Sequence, residues 1–450
     1  LMPLSIGLGG QSSADYIALA WSDGVSQTEI DLAGGELHVI SETQRQLASC
    51  PVIFVWDGES YRFVSDVLGV AGMGFFTAPG ESAVPRPFEG FLLDDNVLQP
   101  KDGRYHVKLT EPMEENAYLD AASIHVYELP DGWSMVLDER MGKGVTGRPI
   151  TYQESVDPIR VTDASGAIVT PLVLLADLRA PDPGDQDHRF IGLLAEDQSL
   201  TVEFETAIDR PGATLVADGW VEYPYSQTVF AAWQADIAYR SVTLSARDKQ
   251  GQWHTVASEF GYPAGMPRKM ALPLPSLPAG STALRLSSNL EIYWDRLQVV
   301  YESVPDHFGH EVIKPEIAIV SSPGFPKRTN AAQKLPEYDY EDRSPFWDTK
   351  FQRGFYTALG EATPLVADTD GAVAIIGGGE EIHLEFEALP PTSADMKRYF
   401  VLDFRGWAKD MDLYTEHGET VGPIPTPDFV DKSKRDLLHA RYNVRFQEGM

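Results

Sequence analysis

The residues best suited to chemistry fall in short clusters. Asp306-His-Phe-Gly-His310-Glu311 places His307 and His310 three apart beside two carboxylates, a donor set for Zn²⁺ or another borderline metal if the backbone curls them together. Pro305 and Gly309 argue for a loop instead, so a linker with solvated histidines is the plain alternative. Asp368-Thr-Asp370-Gly371 has the alternate carboxylates and following glycine with which calcium loops open. Glu380 and Glu381 miss the offset of an EF-hand's bidentate glutamate, which leaves only an irregular loop. Asp410-Met-Asp412 with Thr415 is a second oxygen cluster. Both clusters also suit acidic β-turns that need no ion. Calcium is the cofactor that the two carboxylate clusters suggest.

Other chemistry is scarcer. There is no Gly-x-Ser-x-Gly elbow, no Ser-x-x-Lys and no phosphate loop, and the single cysteine, Cys50, precedes a proline at an expected strand start. His310-Glu311 opens like a zincin helix, but Lys314 stands where the second histidine belongs. Acyl transfer and nucleotide chemistry are disfavoured. Aromatic residues gather at Trp220, Tyr223 and Tyr225, at Phe230 and Trp233, and at Tyr293 and Trp294. Trp220, Tyr223, Tyr225, Trp233 and Tyr293 are candidates for stacking on sugar rings; core packing is the alternative. In Glu291-Ile-Tyr-Trp-Asp-Arg296 the alternation puts Ile292 and Trp294 inside, with Glu291, Tyr293 and Asp295 on the opposite face. Carboxylates are too numerous for the sequence to pair any two as a glycosidase would.

These residues must be held by strands. Tyr16–Trp21, Tyr105–Leu109, Ser123–Tyr127, Leu200–Phe204, Ser241–Ser245, Ala283–Ser287 and Ile382–Phe386 alternate apolar and polar residues. Asp-Gly turns at Asp23, Asp57, Asp102, Asp131 and Asp370 punctuate the chain. The expected fold is all-β: tandem, jelly-roll-like β-sandwich domains with a short C-terminal helix over Asp431–Phe446. Pro/Asp-rich residues 180–187 and Pro-rich residues from Ser303 suggest domains at 1–48, 49–180, 186–303 and 304–450. Leu200–Trp220 and Leu384–Trp407 share an amphipathic strand, a loop and a strand ending in Gly-Trp, as two copies of one module would.

The 450 residues carry 36 basic and 67 acidic side chains, a formal charge of −31, which excludes a nucleic-acid backbone as the default partner. The apolar share of 43% is enough for a core. No apolar run approaches the ~18–20 residues of a membrane span. One cysteine permits no disulfide within the chain and leaves the compartment open. The first ten residues lack the basic and apolar regions of a signal peptide and look like the middle of a domain.

Gly7-Leu-Gly9 followed by Tyr16-Ile-Ala-Leu-Ala-Trp-Ser-Asp-Gly24 resembles the ASPIC/UnbV domain of cartilage-acidic-protein-like proteins, with Ser22 where that pattern has proline. Cys50–Gly69, Glu291–Arg296 and Gly406–Asp412 resemble segments that follow this domain in large bacterial members, where a small residue is expected at the position of Met411. The resemblance implies a truncated ASPIC/UnbV-like domain over 1–48, an upstream array of FG-GAP or tetratricopeptide repeats in the same polypeptide, and an extracellular or periplasmic location. It supplies no catalytic residues. The expected role is a non-catalytic interaction or scaffold region that binds a protein or glycan partner, stabilised by calcium. The alternatives are a metal-dependent or carbohydrate-active enzyme, and an accessory subunit of a large redox or membrane-associated complex.

Overall fold

Alternation of apolar side chains becomes strand pairing throughout the computed structural model, which describes residues 3–21, 26–41, 50–145, 147–344, 350–426 and 430–449. The fold is all-β, with two antiparallel sandwiches. In the first, one sheet runs in the order Gly360–Glu361, Ile317–Ser321, Glu381–Glu387, Arg104–Thr110, Val52–Trp56, Tyr61–Asp66. The facing sheet runs Gly309–Ile313, Glu115–Pro130, Met396–Asp410, Phe88–Leu92. Their inner faces share one core, including Val55, Val107 and Leu384 from one sheet and Leu119, Ile124 and Phe404 from the other.

The second sandwich pairs Arg160–Thr162, Leu193–Glu203, Ala283–Leu290, Thr243–Arg247 and Trp253–Ala257 against Ser134–Leu137, Pro149–Val156, Ile292–Glu302, Ala213–Val221 and Arg268–Pro273. Ile292 and Trp294 point into its core, as alternation requires. This sandwich lies between the two halves of the first in the sequence. Sheet pairing therefore crosses the expected boundaries: strands of 49–180 and 304–450 share both sheets of one sandwich, and the chain passes between sandwiches near residues 131–133 and 303–308. Residues 180–187 are internal to the second sandwich, where the Gln333 side chain bonds both the amide (3.0 Å) and the carbonyl (2.7 Å) of Ala180.

The two sandwiches repeat one strand order. The strands opening at Ile317, Glu381, Arg104, Val52 and Tyr61 match those opening at Arg160, Leu193, Ala283, Thr243 and Trp253; those at Gly309, Glu115, Met396 and Phe88 match Pro149, Ile292, Ala213 and Arg268. Details coincide too. Trp407 opposes Tyr118 and Trp220 opposes Tyr293, each beside a bulge at Gly406 or Gly219. A Cβ at those glycines would lie 2.1 Å from the Tyr118 carbonyl oxygen and 2.5 Å from that of Tyr293, so close backbone approach requires glycine at both. The hydroxyls of Thr363 and Thr170, each opening a Thr-Pro-Leu turn, accept from Ala318 N and Val161 N, both at 2.8 Å. The first sandwich is the same module begun at its fifth strand and completed by residues after 308.

Outside the sandwiches, Ser13–Ala20 and Ser26–Ala33 form a two-stranded sheet; the Asp23-Gly24 turn lies outside the described residues. The C-terminal helix spans Lys432–Tyr442, with Asp431 accepting from Ser433 N and Lys434 N as its cap. A second helix, Ser226–Gln234, was not apparent from periodicity. Among the described residues no helix is long and apolar enough to cross a membrane.

Candidate functional site

The sandwiches are joined by buried polar contacts. Arg268 of the second reaches Asp66 Oδ1 and Glu89 Oε1 of the first, both at 2.9 Å, with every partner buried. Glu139 accepts from Leu92 N (2.6 Å) and Lys269 N (3.3 Å), and burial pushes its carboxyl up to about 7. Beside this seam lies a cavity of about 330 Å³, within the range of small-molecule sites. Equivalent pieces of the two modules meet there. Gly72 and Gly265, from two Ala-Gly-Met triplets, line it, as do residues just after both Gly-Trp pairs: Glu222, Tyr223 and Tyr225 on one side, Asp410 on the other.

Glu115 opens its strand and Asp410 closes the neighbouring one, and the two are register partners, so their side chains emerge side by side. Glu115 Oε2 and Asp410 Oδ1 are shielded from solvent and have no hydrogen-bond partner. Burial, and next the charge of Asp412, push the Asp410 carboxyl up to about 8. Burial followed by Asp410, Glu111 and Asp66 holds Glu115 well above the usual carboxylate range. Glu111 is raised by the same causes, burial first and Asp410 after, against a bond from Met113 N. At neutral pH these acids therefore hold protons, accept a donor, or receive a cation.

The other walls are aromatic and sulfur-rich. Tyr223 packs edge-on to Tyr225 at 6.0 Å, and its hydroxyl approaches Met141 Sδ at 3.8 Å. Trp220 stacks at 5.3 Å on Tyr293, which lies behind it and donates to Glu291 Oε1 (2.6 Å). Lys334, on the rim, pairs with Glu291 at 2.9 Å. Cys50 also lines the cavity; burial and the charges of Glu115 and Asp66 keep it a thiol, a poor nucleophile.

The expected site residues thus divide. Trp220, Tyr223, Tyr225 and Asp410 line one cavity. Tyr293 supports Trp220 from behind, and Trp233 packs on Phe230 at 5.5 Å from the half-exposed face of the Ser226–Gln234 helix. Asp412 ties its own turn, accepting from Tyr414 N (2.8 Å) and Thr415 Oγ1 (2.9 Å), and also from the Ser226 hydroxyl. Asp368 and Asp370 each face a lysine, Lys314 and Lys434, at 2.6 Å, while Asp120 accepts from Asp370 N and Gly371 N. His307 and His310 do not converge: His307 is exposed, and His310 pairs with His125 (3.1 Å) under the Tyr127 ring. Strand pairing, not local spacing, chooses His310's neighbour. Sequence reasoning passed over Glu111 and Glu115, because Glu111-Pro-Met-Glu-Glu115 resembles an exposed acidic turn.

No protein-family model and no curated protein matches the chain.

Proposed function

We propose that this is a binding protein that captures the terminal sugar residues of a glycan in the cavity between its duplicated sandwiches. One observation carries the reading: Glu115 and Asp410 line an aromatic-walled cavity, and each has a buried carboxyl oxygen without a hydrogen-bond partner. Sugar hydroxyls supply donors to such oxygens, and the apolar faces of a pyranose suit the rings of Tyr223 and Tyr225. Calcium between Glu115 and Asp410 belongs to the proposal as an ion that lets both acids ionise. An extracellular or periplasmic setting, and an upstream repeat array, follow from the ASPIC/UnbV resemblance and are part of the same reading.

The test is a glycan array probed with the intact protein, with and without calcium, and with Asp410→Ala beside it. The expected result is a restricted set of terminal sugars, bound at least tenfold more weakly by Asp410→Ala, since losing a buried hydrogen bond and leaving its partner unsatisfied costs about 1–3 kcal/mol. Binding that Asp410→Ala leaves unchanged refutes the cavity as the site.

The adjacency of Glu115 and Asp410 favours one second reading, a carbohydrate-active enzyme with the pair as acid and base. Release of nitrophenol from 4-nitrophenyl glycosides, lost in Glu115→Gln, would separate it from simple binding.

A further inference from the structure

A different face of the molecule assembles a donor set that the sequence scatters. In Tyr105-His-Val-Lys-Leu109 and Ile382-His-Leu-Glu-Phe386 the apolar residues enter the core, so His106, Lys108, His383 and Glu385 all project from the outer face of the six-stranded sheet. Register sets His106 opposite Glu385 and Lys108 opposite His383. His106 Nδ1 lies 3.0 Å from His383 Nε2, and that nitrogen lies 4.0 Å from Glu385 Oε1. Among the described residues this is the one group of three whose ligand atoms all fall within 4.8 Å of one another.

We propose that His106, His383 and Glu385 bind a borderline divalent transition metal, with Zn²⁺ as the reference ion and a fourth position open to water or a ligand's anion. Tetrahedral bonds of about 2.0–2.1 Å put ligand atoms about 3.3 Å apart, and the two distances above bracket that value. Both imidazoles are poised for the task. His106 Nε2 is 3.2 Å from the Lys101 carbonyl, which accepts a hydrogen bond from Nε2–H, keeping the ring proton on that nitrogen and leaving the Nδ1 lone pair for a metal. His383 is pushed down to about 4, chiefly by burial and then by Lys108, and so is neutral at physiological pH. Arg104 holds Glu385 Oε2 at 3.0 Å, fixing the carboxylate with Oε1 toward His383. The ammonium of Lys108, register partner of His383, is already engaged by Glu381 at 2.6 Å. Strands of a six-stranded sheet supply all three donors, so their geometry is set by the backbone ladder.

This proposal is independent of the cavity. Its test is calorimetric titration of the chelator-treated intact protein with ZnCl₂, together with the absorption spectrum of the Co²⁺ form. One equivalent of Zn²⁺ and the intense visible bands of tetrahedral Co²⁺ are expected in the native protein. His383→Ala and Glu385→Gln weaken binding at least tenfold, and His310→Ala leaves it unchanged. Glu385→Gln can still accept the bond from Arg104, so it separates ligation from folding; thermal unfolding checks both variants. Absence of Zn²⁺ binding in the native protein overturns the proposal. So does binding that survives His383→Ala but is lost in His310→Ala, which places the metal on the other histidine pair.

Discussion

Replacing Asp410 by asparagine keeps the shape of the side chain and removes its charge. In the folded protein this carboxyl is pushed up to about 8, against about 3.9 in an unfolded chain. The folded state therefore binds the extra proton between about pH 4 and pH 8. The stability this proton confers is fully present below about pH 4 and is lost as pH rises through about 8. Each pH unit in the window costs about 1.4 kcal/mol, so the ceiling at pH 8 is about 5–6 kcal/mol. Relaxation and water entry should reduce the realised gain of Asp410→Asn at pH 8 to about 2–4 kcal/mol, with little change at pH 4.5. Urea unfolding at half-unit pH steps measures both quantities: the variant's stability should fall less steeply from pH 5 to 8, by about one proton. Parallel curves for variant and native protein would refute the strained-carboxyl argument.

Three other predictions rest on separate features. Arg268→Met leaves Asp66 and Glu89 buried without their cation and should destabilise by about 3–5 kcal/mol in urea unfolding; adding Asp66→Asn and Glu89→Gln should restore part of that loss. A Cβ at Gly69 would lie 2.3 Å from Cys50 Sγ, so Gly69→Ala should lower the unfolding temperature by several degrees, and Cys50→Ala in the same chain should recover most of it. Residues 134–303 hold both sheets of the second sandwich and should unfold cooperatively when expressed alone, whereas 49–180 should not, because its strands lack the partners beyond residue 308.

Local pattern carried the elements far better than their assembly. Every alternating segment singled out in the sequence lies in or overlaps an observed strand, and alternation sorted Trp294 to the core and Tyr293 to the outer face. The C-terminal helix was legible from Asp431 and the polar run behind it. The Ser226–Gln234 helix was not, since Thr228, Val229, Phe230 and Trp233 have weak helical preference and packing decides their state. The shared Gly-Trp strand endings pointed toward duplication, yet nothing local reveals that one copy is split around the other. Sites suffered most. His106 and His383 lie 277 residues apart, and Glu115 meets Asp410 only through strand register. Such pairings are fixed by the global sheet order, which short-range alternation does not encode.

Hydrogen-exchange mass spectrometry of the intact protein, with and without the saccharide that binds best on the array, shows whether the ligand enters the cavity between the sandwiches. Occupancy of the cavity should slow exchange in residues 66–75, 220–226 and 406–412 and nowhere else. Protection that appears instead around Trp233 or on the outer sheet faces, or no saccharide-dependent protection at all, contradicts it.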